Sequence, residues 1–322
     1  MSIVFKSIFR NELASYIDFV KLSVKDHRAY ERTLSDFDAF LAGENLAEKV
    51  LATDQVGRWL DTFTNVRPST KQSKLTHVRR FAGYLGTLGI KSTLPELPRI
   101  QSDFEPYVFT VEEMARLFEA ADDLVVTRPD SRVAAEFPVL LRVLYGCGLR
   151  LGEAIALTWD DVDLGGGILM VRTAKNQKQR MVPMAEELTR ILKLYKAAPC
   201  FAMNDHDYLF KRDNGKPRSN KTYWILFDSL LCELGIKNAQ TIKGQSRGPC
   251  IHSLRHAFAM HSFLKAEAEG RGFMETVPFL STYLGHDGLM ETDKYLKARH
   301  EMYKESHEMI ADYTKDVFPE EA

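Results

Sequence analysis

Four short segments between residues 148 and 286 carry side chains that suit phosphoryl transfer. In chain order they are G-L-R-L-G-E (148–153), T-A-K-N-Q-K-Q-R (173–180), H-S-L-R-H (252–256) and L-G-H (284–286), and Tyr295 follows nine residues after the last histidine. Exchange of a phosphodiester through a covalent intermediate needs a nucleophile, cations that stabilise the charged transition state, and groups that accept and donate protons. These segments contain the residue types that supply each function.

The two arginines of these segments are candidates for stabilising charge on a phosphate. Arg150 and Arg255 each carry a planar guanidinium that can donate two parallel hydrogen bonds to phosphate oxygens. Gly146 and Gly148 permit a tight turn before Arg150, and Glu153 is placed to orient that arginine. The alternative for Arg150 and Glu153 is a simple ion pair between neighbouring helical residues.

The histidines of the third segment allow two interpretations. His252 and Arg255 are three residues apart on a predicted helix and therefore share a face, which suits His252 as an acid–base group. The competing interpretation takes His252, His256 and His261 as a metal site, because two histidines four apart can share one ion. Since no acidic ligand accompanies them, we predict that His256 is a packed or hydrogen-bonded helix histidine and that there is no metal site.

In this order, the four segments and the tyrosine resemble those of the tyrosine recombinase (phage integrase) family, over roughly residues 109–296. The resemblance implies a catalytic set in which Tyr295 is the nucleophile, and it implies that Glu153 orients Arg150 from outside this set. That set is Arg150, Lys175, His252, Arg255, His286 and Tyr295. A phenol has a pKa of about 10, so the tyrosine needs cationic neighbours or a base in order to attack.

Two features of the chain depart from the family's usual pattern. Family members usually carry glycine beside the catalytic lysine, whereas Ala174 and Asn176 flank Lys175 here, so Lys178 is its substitute as proton donor to the leaving 5′-oxygen. The stretch 264–278 between the third and fourth segments is several residues longer than is usual, although both flanking motifs are intact.

The resemblance implies a site-specific recombinase that cleaves and rejoins DNA strands through a covalent 3′-phosphotyrosine and a Holliday junction. Such an enzyme would integrate, excise or transpose a mobile element without a cofactor. Its partners would be double-stranded DNA carrying specific sites, three further copies of the chain in a homo-tetramer on DNA (a monomer when free), and accessory proteins. The alternatives are a type IB topoisomerase, which shares the chemistry without pairing two sites, and a catalytically silent DNA-binding accessory protein.

The elements that must position these groups are mainly helical, with one small β-hairpin or sheet formed by the segments flanking the lysine loop. The family resemblance implies a two-domain clamp around DNA. The predicted parts are a helical core-binding domain at 1–90, a proline-containing linker at 91–108, a catalytic domain at 109–299 and a tail at 300–322. Catalytic-domain and tail helices are predicted at 137–148, 150–157, 185–197, 219–234, 252–266, 276–284 and 302–313.

Apolar residues recur at helical spacing in the first 90 residues, for example Leu13, Tyr16, Ile17, Phe19 and Val20. A further helix is expected to start at Ser69 or Thr70, with an apolar face and a basic face that can lie along phosphates. The alternative is an ordinary solvated amphipathic helix. The predicted DNA contacts are Lys71, Lys74, Arg79 and Arg80 of this helix, together with Lys178 and Arg180 of the hairpin.

Charge and composition limit the class of protein only in part. The formal net charge is −1, but residues 1–100 carry 15 Lys/Arg against 11 Asp/Glu, and residues 300–322 carry two lysines against seven acids. An acidic tail therefore masks a basic front half. The four cysteines form no CxxC pair, and no apolar run approaches the ~20 residues of a membrane helix. We expect a cytoplasmic protein associated with the bacterial nucleoid.

The tail combines apolar and acidic residues in a way that requires a partner surface. Its apolar side chains fall near one side of the predicted helix at 302–313, and they would be exposed unless they bury elsewhere. One alternative is packing against the chain's own catalytic domain. The family resemblance favours docking on a neighbouring protomer.

Overall fold

The computed structural model describes residues 4–24, 27–44, 46–98, 106–127, 132–172, 179–198, 204–237 and 248–285 of the 322-residue chain. It divides into two compact units, Met1–Asp103 and Phe104–Ala322. Lys175, Lys178, His286, Tyr295 and the tail at 300–322 lie outside the described residues. Within the described ranges, no helix has both the length and the apolarity needed to cross a membrane.

The described part of the first unit is helical. Its helices are α1 (Arg10–Ser23), α2 (Arg28–Gly43), α3 (Thr53–Asp61) and α4 (Pro68–Thr87). The apolar positions predicted on α1 are buried, apart from Phe19, whose surface is 56% exposed. The ring of Phe19 stacks on that of Tyr16, with the centroids 6.4 Å apart.

Helix α4 has the apolar face that its sequence predicts, with Leu75, Val78, Phe81 and Leu85 buried. It begins at Pro68, slightly earlier than the predicted start at Ser69 or Thr70. Proline suits the first helical position because its fixed φ is helical and its missing N–H would have no partner there.

Part of the predicted linker packs along the first unit. Ser92 pairs with Leu51 in an isolated parallel bridge, and the carbonyl oxygen of Pro98 accepts a 2.7 Å hydrogen bond from Gln72. The carbonyl oxygen of Pro95 accepts from Arg79. The extended backbone therefore has side chains of α4 as its hydrogen-bond partners, at least up to Pro98.

The second unit opens with a capping box formed by Thr110 and Glu113. The Glu113 N–H donates to the Thr110 hydroxyl at 3.1 Å, and the Thr110 N–H donates to the Glu113 carboxylate at 3.0 Å. The helices that follow within the described ranges are α5 (Val111–Thr127), α6 (Arg132–Cys147), α7 (Leu151–Ala154), α8 (Glu186–Ala197), α9 (Asn220–Glu233), α10 (Ser253–Ala268) and α11 (Phe273–Leu284).

Two helix boundaries differ from the prediction in ways that affect the site. The helix predicted at 150–157 is a single turn, α7, because the chain then leaves it to pair Leu209 N with Leu157 O at 3.0 Å. Helix α11 starts at Phe273 rather than at 276. Its first turn is stabilised by Glu275, whose carboxylate accepts from the Gly272 N–H at 3.2 Å.

The strands of the second unit form one antiparallel sheet with the order β1-β2-β3. They are β1 (Val162–Asp163), β2 (Ile168–Val171) and β3 (Arg180–Pro183). Val171 pairs with Arg180 at the loop end of the β2–β3 hairpin, next to residues 173–178, which carry the lysines. The predicted small hairpin is thus confirmed, and β1 extends it to a sheet.

Candidate active site

The turn between α6 and α7 brings Arg150 to the surface of a packed core. Gly148 has a φ of +58°, and a Cβ there would lie 2.5 Å from the ring of Phe258 and 2.8 Å from Leu284. Glycine is therefore required at this position, both for its backbone angle and for the close approach of α10 and α11. Gly146, predicted to help the turn, lies within the last turn of α6.

Glu153 orients Arg150 as the sequence suggests. The Arg150 N–H donates to Glu153 Oε2 at 3.0 Å, and Arg150 Nη1 donates to Oε1, also at 3.0 Å. The carboxylate is only 4% exposed, whereas the Arg150 side chain is 27% exposed. The pair is therefore a buried carboxylate holding a partly exposed guanidinium, and it differs from an ordinary surface ion pair.

A second arginine shares the same carboxylate. Arg180 Nη2 donates to Glu153 Oε2 at 2.8 Å and Nη1 to Oε1 at 3.3 Å. Burial alone would raise the pKa of Glu153, but the hydrogen bonds from Arg180 and the Arg150 backbone, with the charges of both arginines, hold this pKa below its ordinary value. The carboxylate is therefore ionised at neutral pH.

Arg255 lies beneath this turn, with only 2% of its surface exposed. Its Nη1 donates to the carbonyl oxygen of Gly148 at 2.7 Å, and its Nη2 donates to that of Leu284 at 2.8 Å. Leu284 is two residues before His286, and Gly148 is two residues before Arg150. The guanidinium thus connects the third motif segment, which carries Arg255, to the backbones of the first and the fourth.

His252 and His256 lie at the start of α10, beside Arg255. His252 is exposed, His256 is 8% exposed, and their rings meet edge to face with centroids 4.9 Å apart. His256 is therefore packed, as predicted. His252 is the N-cap residue of α10, from which its ring reaches solvent.

His261 does not join the other two histidines. Its Nδ1 shares a 2.8 Å hydrogen bond with the Tyr145 hydroxyl, and burial lowers its pKa. In the part of the chain that the structure describes, no three His, Cys, Asp or Glu side chains are grouped so that they could hold a metal ion. The proposed cluster of His252, His256 and His261 is therefore not formed.

Arg180 was predicted as a DNA contact, and the structure places it at the centre of the site. Besides its two bonds to Glu153, its Nε donates to the carbonyl oxygen of Tyr283 at 2.9 Å. Sequence reasoning missed this role, although the strand pattern contained a signal. Arg180 and Val182 are two residues apart on β3 and share a face, and Val182 is fully buried.

The predicted basic face of α4 is largely paired within the first unit. Lys74 forms a 2.8 Å ion pair with Asp36 and lies 4.6 Å from the centroid of the Phe63 ring. Arg79 donates to Pro95, and Arg80 donates to the hydroxyl of Tyr30. The DNA contacts assigned to this helix, including Lys71, stay predictions.

Comparison with known proteins places this arrangement in a family. The profile of the phage integrase family matches residues 108–302. A protein of Sinorhizobium fredii described as an integrase/recombinase is 29% identical over 93% of this chain and 96% of its own length. Tyrosine recombinase XerC of Staphylococcus carnosus is 27% identical over 83% of this chain and 84% of its own.

A solved structure shares the fold at lower sequence identity. The crystal structure of a lambda integrase dimer bound to a COC′ core site matches with a TM-score of 0.65, at 14% identity, over 88% of this chain and 76% of that one. The family profile covers more than half of the present chain. The chain belongs to the phage integrase family, the tyrosine recombinases.

Proposed function

We propose that this DNA strand transferase is a site-specific recombinase that cleaves and rejoins DNA through a covalent 3′-phosphotyrosine formed by Tyr295. The observation that carries the proposal is the pair of hydrogen bonds from Arg255 to Gly148 and Leu284. These bonds bring the backbones before Arg150 and His286 together at the start of α10, where His252 is exposed. The segments that carry Arg150 and His252, the proposed charged and acid–base groups, thus meet at Arg255 although they are far apart in sequence.

Each catalytic group has a task that follows from its chemistry. Arg150 and Arg255 supply positive charge to the non-bridging oxygens as the phosphorus becomes five-coordinate. His252 and His286 exchange protons and donate hydrogen bonds at the phosphate. The Tyr295 hydroxyl gives its proton to His252 as its oxygen attacks phosphorus. The bond to the 5′-oxygen then breaks, and Lys175 donates the proton that this oxygen needs in order to leave. Attack by the freed 5′-hydroxyl on the phosphotyrosine reverses the step.

The aryl phosphate preserves the free energy of the broken phosphodiester for rejoining, so the reaction needs no nucleotide cofactor. We further propose that four copies pair two DNA sites and exchange strands through a Holliday junction, in the movement of a mobile element. The tail at 300–322 would link neighbouring protomers. The proposed contacts to DNA phosphates are Lys71, Lys74, Arg79, Arg80 and Lys178. Because salt competes with such contacts, the affinity for DNA should fall as the salt concentration rises.

Trapping covalent protein–DNA complexes tests this function and finds the target at once. The full chain is incubated in EDTA with fragmented genomic DNA of its source organism, denatured with detergent, and the DNA attached to protein is sequenced. We expect adducts with 3′-phosphate ends at a few discrete sites. The catalytic assignment would be contradicted by no adduct at all, which is the behaviour of a silent DNA-binding protein.

A second measurement on the recovered sites separates recombination from simple strand relaxation. Two labelled duplexes carrying the site are mixed with the protein, and recombinant products and paired complexes are counted. We expect both recombinant DNA and complexes that hold two duplexes. Relaxation of supercoiled DNA without site preference, by a protein that never pairs two duplexes, would instead identify a topoisomerase of type IB.

A further inference from the structure

The side chain of Arg180 is enclosed by the protein, although it flanks a loop that is expected to meet DNA. It is 11% exposed, and all three nitrogens of its guanidinium donate to protein oxygens, two to Glu153 and one to the carbonyl of Tyr283. A Cβ built on Gly285 would lie 3.0 Å from its Nη1, so the guanidinium packs directly against that glycine. Three of its five N–H donors are therefore already used by protein acceptors, and these bonds fix the guanidinium against Glu153 and Tyr283.

The same contacts link three parts of the active site. Arg180 pairs with Val171 at the loop end of the hairpin, next to residues 173–178, so it fixes the start of the strand that follows Lys175. Through Tyr283 and Gly285 it holds the C-terminal end of α11, immediately before His286. A second bond between the same elements runs from the Tyr283 hydroxyl to the carbonyl of Pro183, at 3.0 Å.

The charge balance around Glu153 also depends on Arg180. The carboxylate lies between two guanidinium groups. Its Oε1 accepts from Nη1 of both arginines, and its Oε2 accepts from Arg180 Nη2 and the backbone N–H of Arg150. Glu153 with Arg150 alone would be a neutral pair, whereas the three groups together carry one positive charge. Since the Arg150 side chain is the more exposed of the two, the remaining positive charge faces solvent there.

We infer that Arg180 is a positioning residue that acts through Glu153. It holds Arg150 in place and leaves the charge of Arg150 available to the phosphate. Arg180 also fixes the ends of the lysine and histidine segments. It is not a DNA contact. This inference rests on the proposed function, since the phosphate is that of the cleaved strand. Its chemistry requires arginine: the three N–H donors of lysine radiate from one nitrogen, so lysine keeps the charge but cannot form the planar fork to both Glu153 oxygens and also reach the Tyr283 carbonyl.

The variants Arg180→Lys and Arg180→Gln test the inference on the DNA recovered by covalent trapping. The rate of adduct formation at saturating protein should fall about 100-fold in both, as expected when a catalytic group is misplaced by about 1 Å. The dissociation constant for the same DNA should stay within about twofold, and the dependence of log K on log salt should keep its slope, because no phosphate contact is lost.

Arg142→Lys is the matched control for the structural cost of the substitution. Arg142 makes the same two-bond fork to a carboxylate, that of Asp122, at 2.7 and 2.8 Å, and its side chain is 23% exposed. This pair joins α5 and α6 away from the site. Because Asp122 is half exposed, the control should lower the melting temperature by no more than Arg180→Lys does, and it should leave the rate of adduct formation unchanged. Equal rate losses in both variants would show that any broken fork impairs the enzyme, which would overturn the inference.

A double-mutant cycle with Glu153→Gln tests the path through the carboxylate. If Arg180 acts through Glu153, the double variant should be about as slow as the slower single variant. The inference is overturned if the two rate losses multiply. It is also overturned if Arg180→Lys cleaves at the wild-type rate, while Arg180→Gln binds DNA more weakly and its salt slope falls by about 0.9, the signature of one phosphate contact. Absence of any adduct with the wild-type chain would contradict the proposed function, a result distinct from these.

Discussion

Arg255 donates a 2.7 Å hydrogen bond to the carbonyl oxygen of Gly148, a residue 107 positions earlier in the chain. The contact fixes the start of α10 against the turn that presents Arg150. Because the arginine is 2% exposed and its second bond goes to Leu284, it holds the backbones around the candidate site together, a role separate from its proposed stabilisation of the phosphate.

Arg255→Lys is expected to impair both folding stability and strand cleavage. Lysine keeps the charge but cannot reach both carbonyl oxygens in the geometry of the fork, and a buried polar group without its partner costs about 1–3 kcal/mol. Denaturant unfolding measures the loss of stability. The cleavage rate per folded molecule should fall about 100- to 1000-fold, the effect of losing one donor to the transition state.

Arg150→Lys provides the comparison, since Arg150 is 27% exposed. Its cleavage rate should fall to a similar extent while the free energy of unfolding changes little. Near-normal cleavage by either variant would remove that arginine from the group that stabilises the phosphate.

Glu153→Gln should destabilise the protein in a pH-dependent way. The pKa of Glu153 is lowered in the folded state, so its ionised form contributes stability above the ordinary carboxyl pKa of about 4.3, and this contribution is lost as the pH falls through the lowered value. At pH 7 the substitution should cost about 2 kcal/mol, because two arginines lose a charged acceptor. The difference between wild type and variant should shrink below about pH 4.

Unfolding by urea at several pH values checks this dependence. Asp122→Asn is the control, because that carboxylate is 54% exposed in its pair with Arg142 and should contribute less than about 1 kcal/mol. A difference between wild type and Glu153→Gln that stays constant from pH 7 down to pH 3 would show that Glu153 is not held ionised by its neighbours.

Lys175→Ala should lose cleavage on ordinary DNA and regain it on a substrate whose bridging 5′-oxygen is replaced by sulfur. A thiolate leaves without being protonated, so the general acid becomes unnecessary. The rate of adduct formation on the two substrates is the measurement, and Lys178→Ala is the matched control. If Lys178→Ala shows the rescue and Lys175→Ala does not, the two lysines exchange roles.

Deletion of residues 300–322 should weaken assembly on paired sites and disturb cleavage, while binding to a single site persists. The apolar side chains in this tail are expected to bury on a neighbouring protomer and so connect one active site to the next. Mobility-shift assays with one and with two sites separate the two effects. Normal pairing and recombination by the truncated chain would mean that the tail is dispensable.

Local signals in the sequence predicted most of the helices and the hairpin. The capping box of Thr110 and Glu113 is formed by neighbouring residues, and the apolar face of α4 follows directly from helical periodicity. The spacing of three residues also predicted that Glu153 pairs with Arg150, although only the family pattern favoured an orienting role over a simple ion pair. Such features need no knowledge of how distant segments meet.

Long-range contacts account for what the sequence did not predict. Arg180 lies 27 residues from Glu153 and 103 from Tyr283, so its place in the site depends on how the sheet packs against α7 and α11. Helix α7 is short because Leu157 pairs with the backbone of Leu209, another distant partner. The linker also depends on residues distant in sequence, because the carbonyl oxygens of Pro95 and Pro98 accept hydrogen bonds from side chains of α4.

The identity of the residue joined to DNA tests the central claim most directly. The adduct trapped in detergent is digested with protease and nuclease, and the modified peptide is identified by mass spectrometry. We expect a nucleotide 3′-phosphate on Tyr295, and we expect Tyr295→Phe to bind the same DNA with unchanged affinity and to form no adduct. Normal adduct formation by Tyr295→Phe, or a nucleotide found on Tyr303 or Tyr313 instead, would contradict the account.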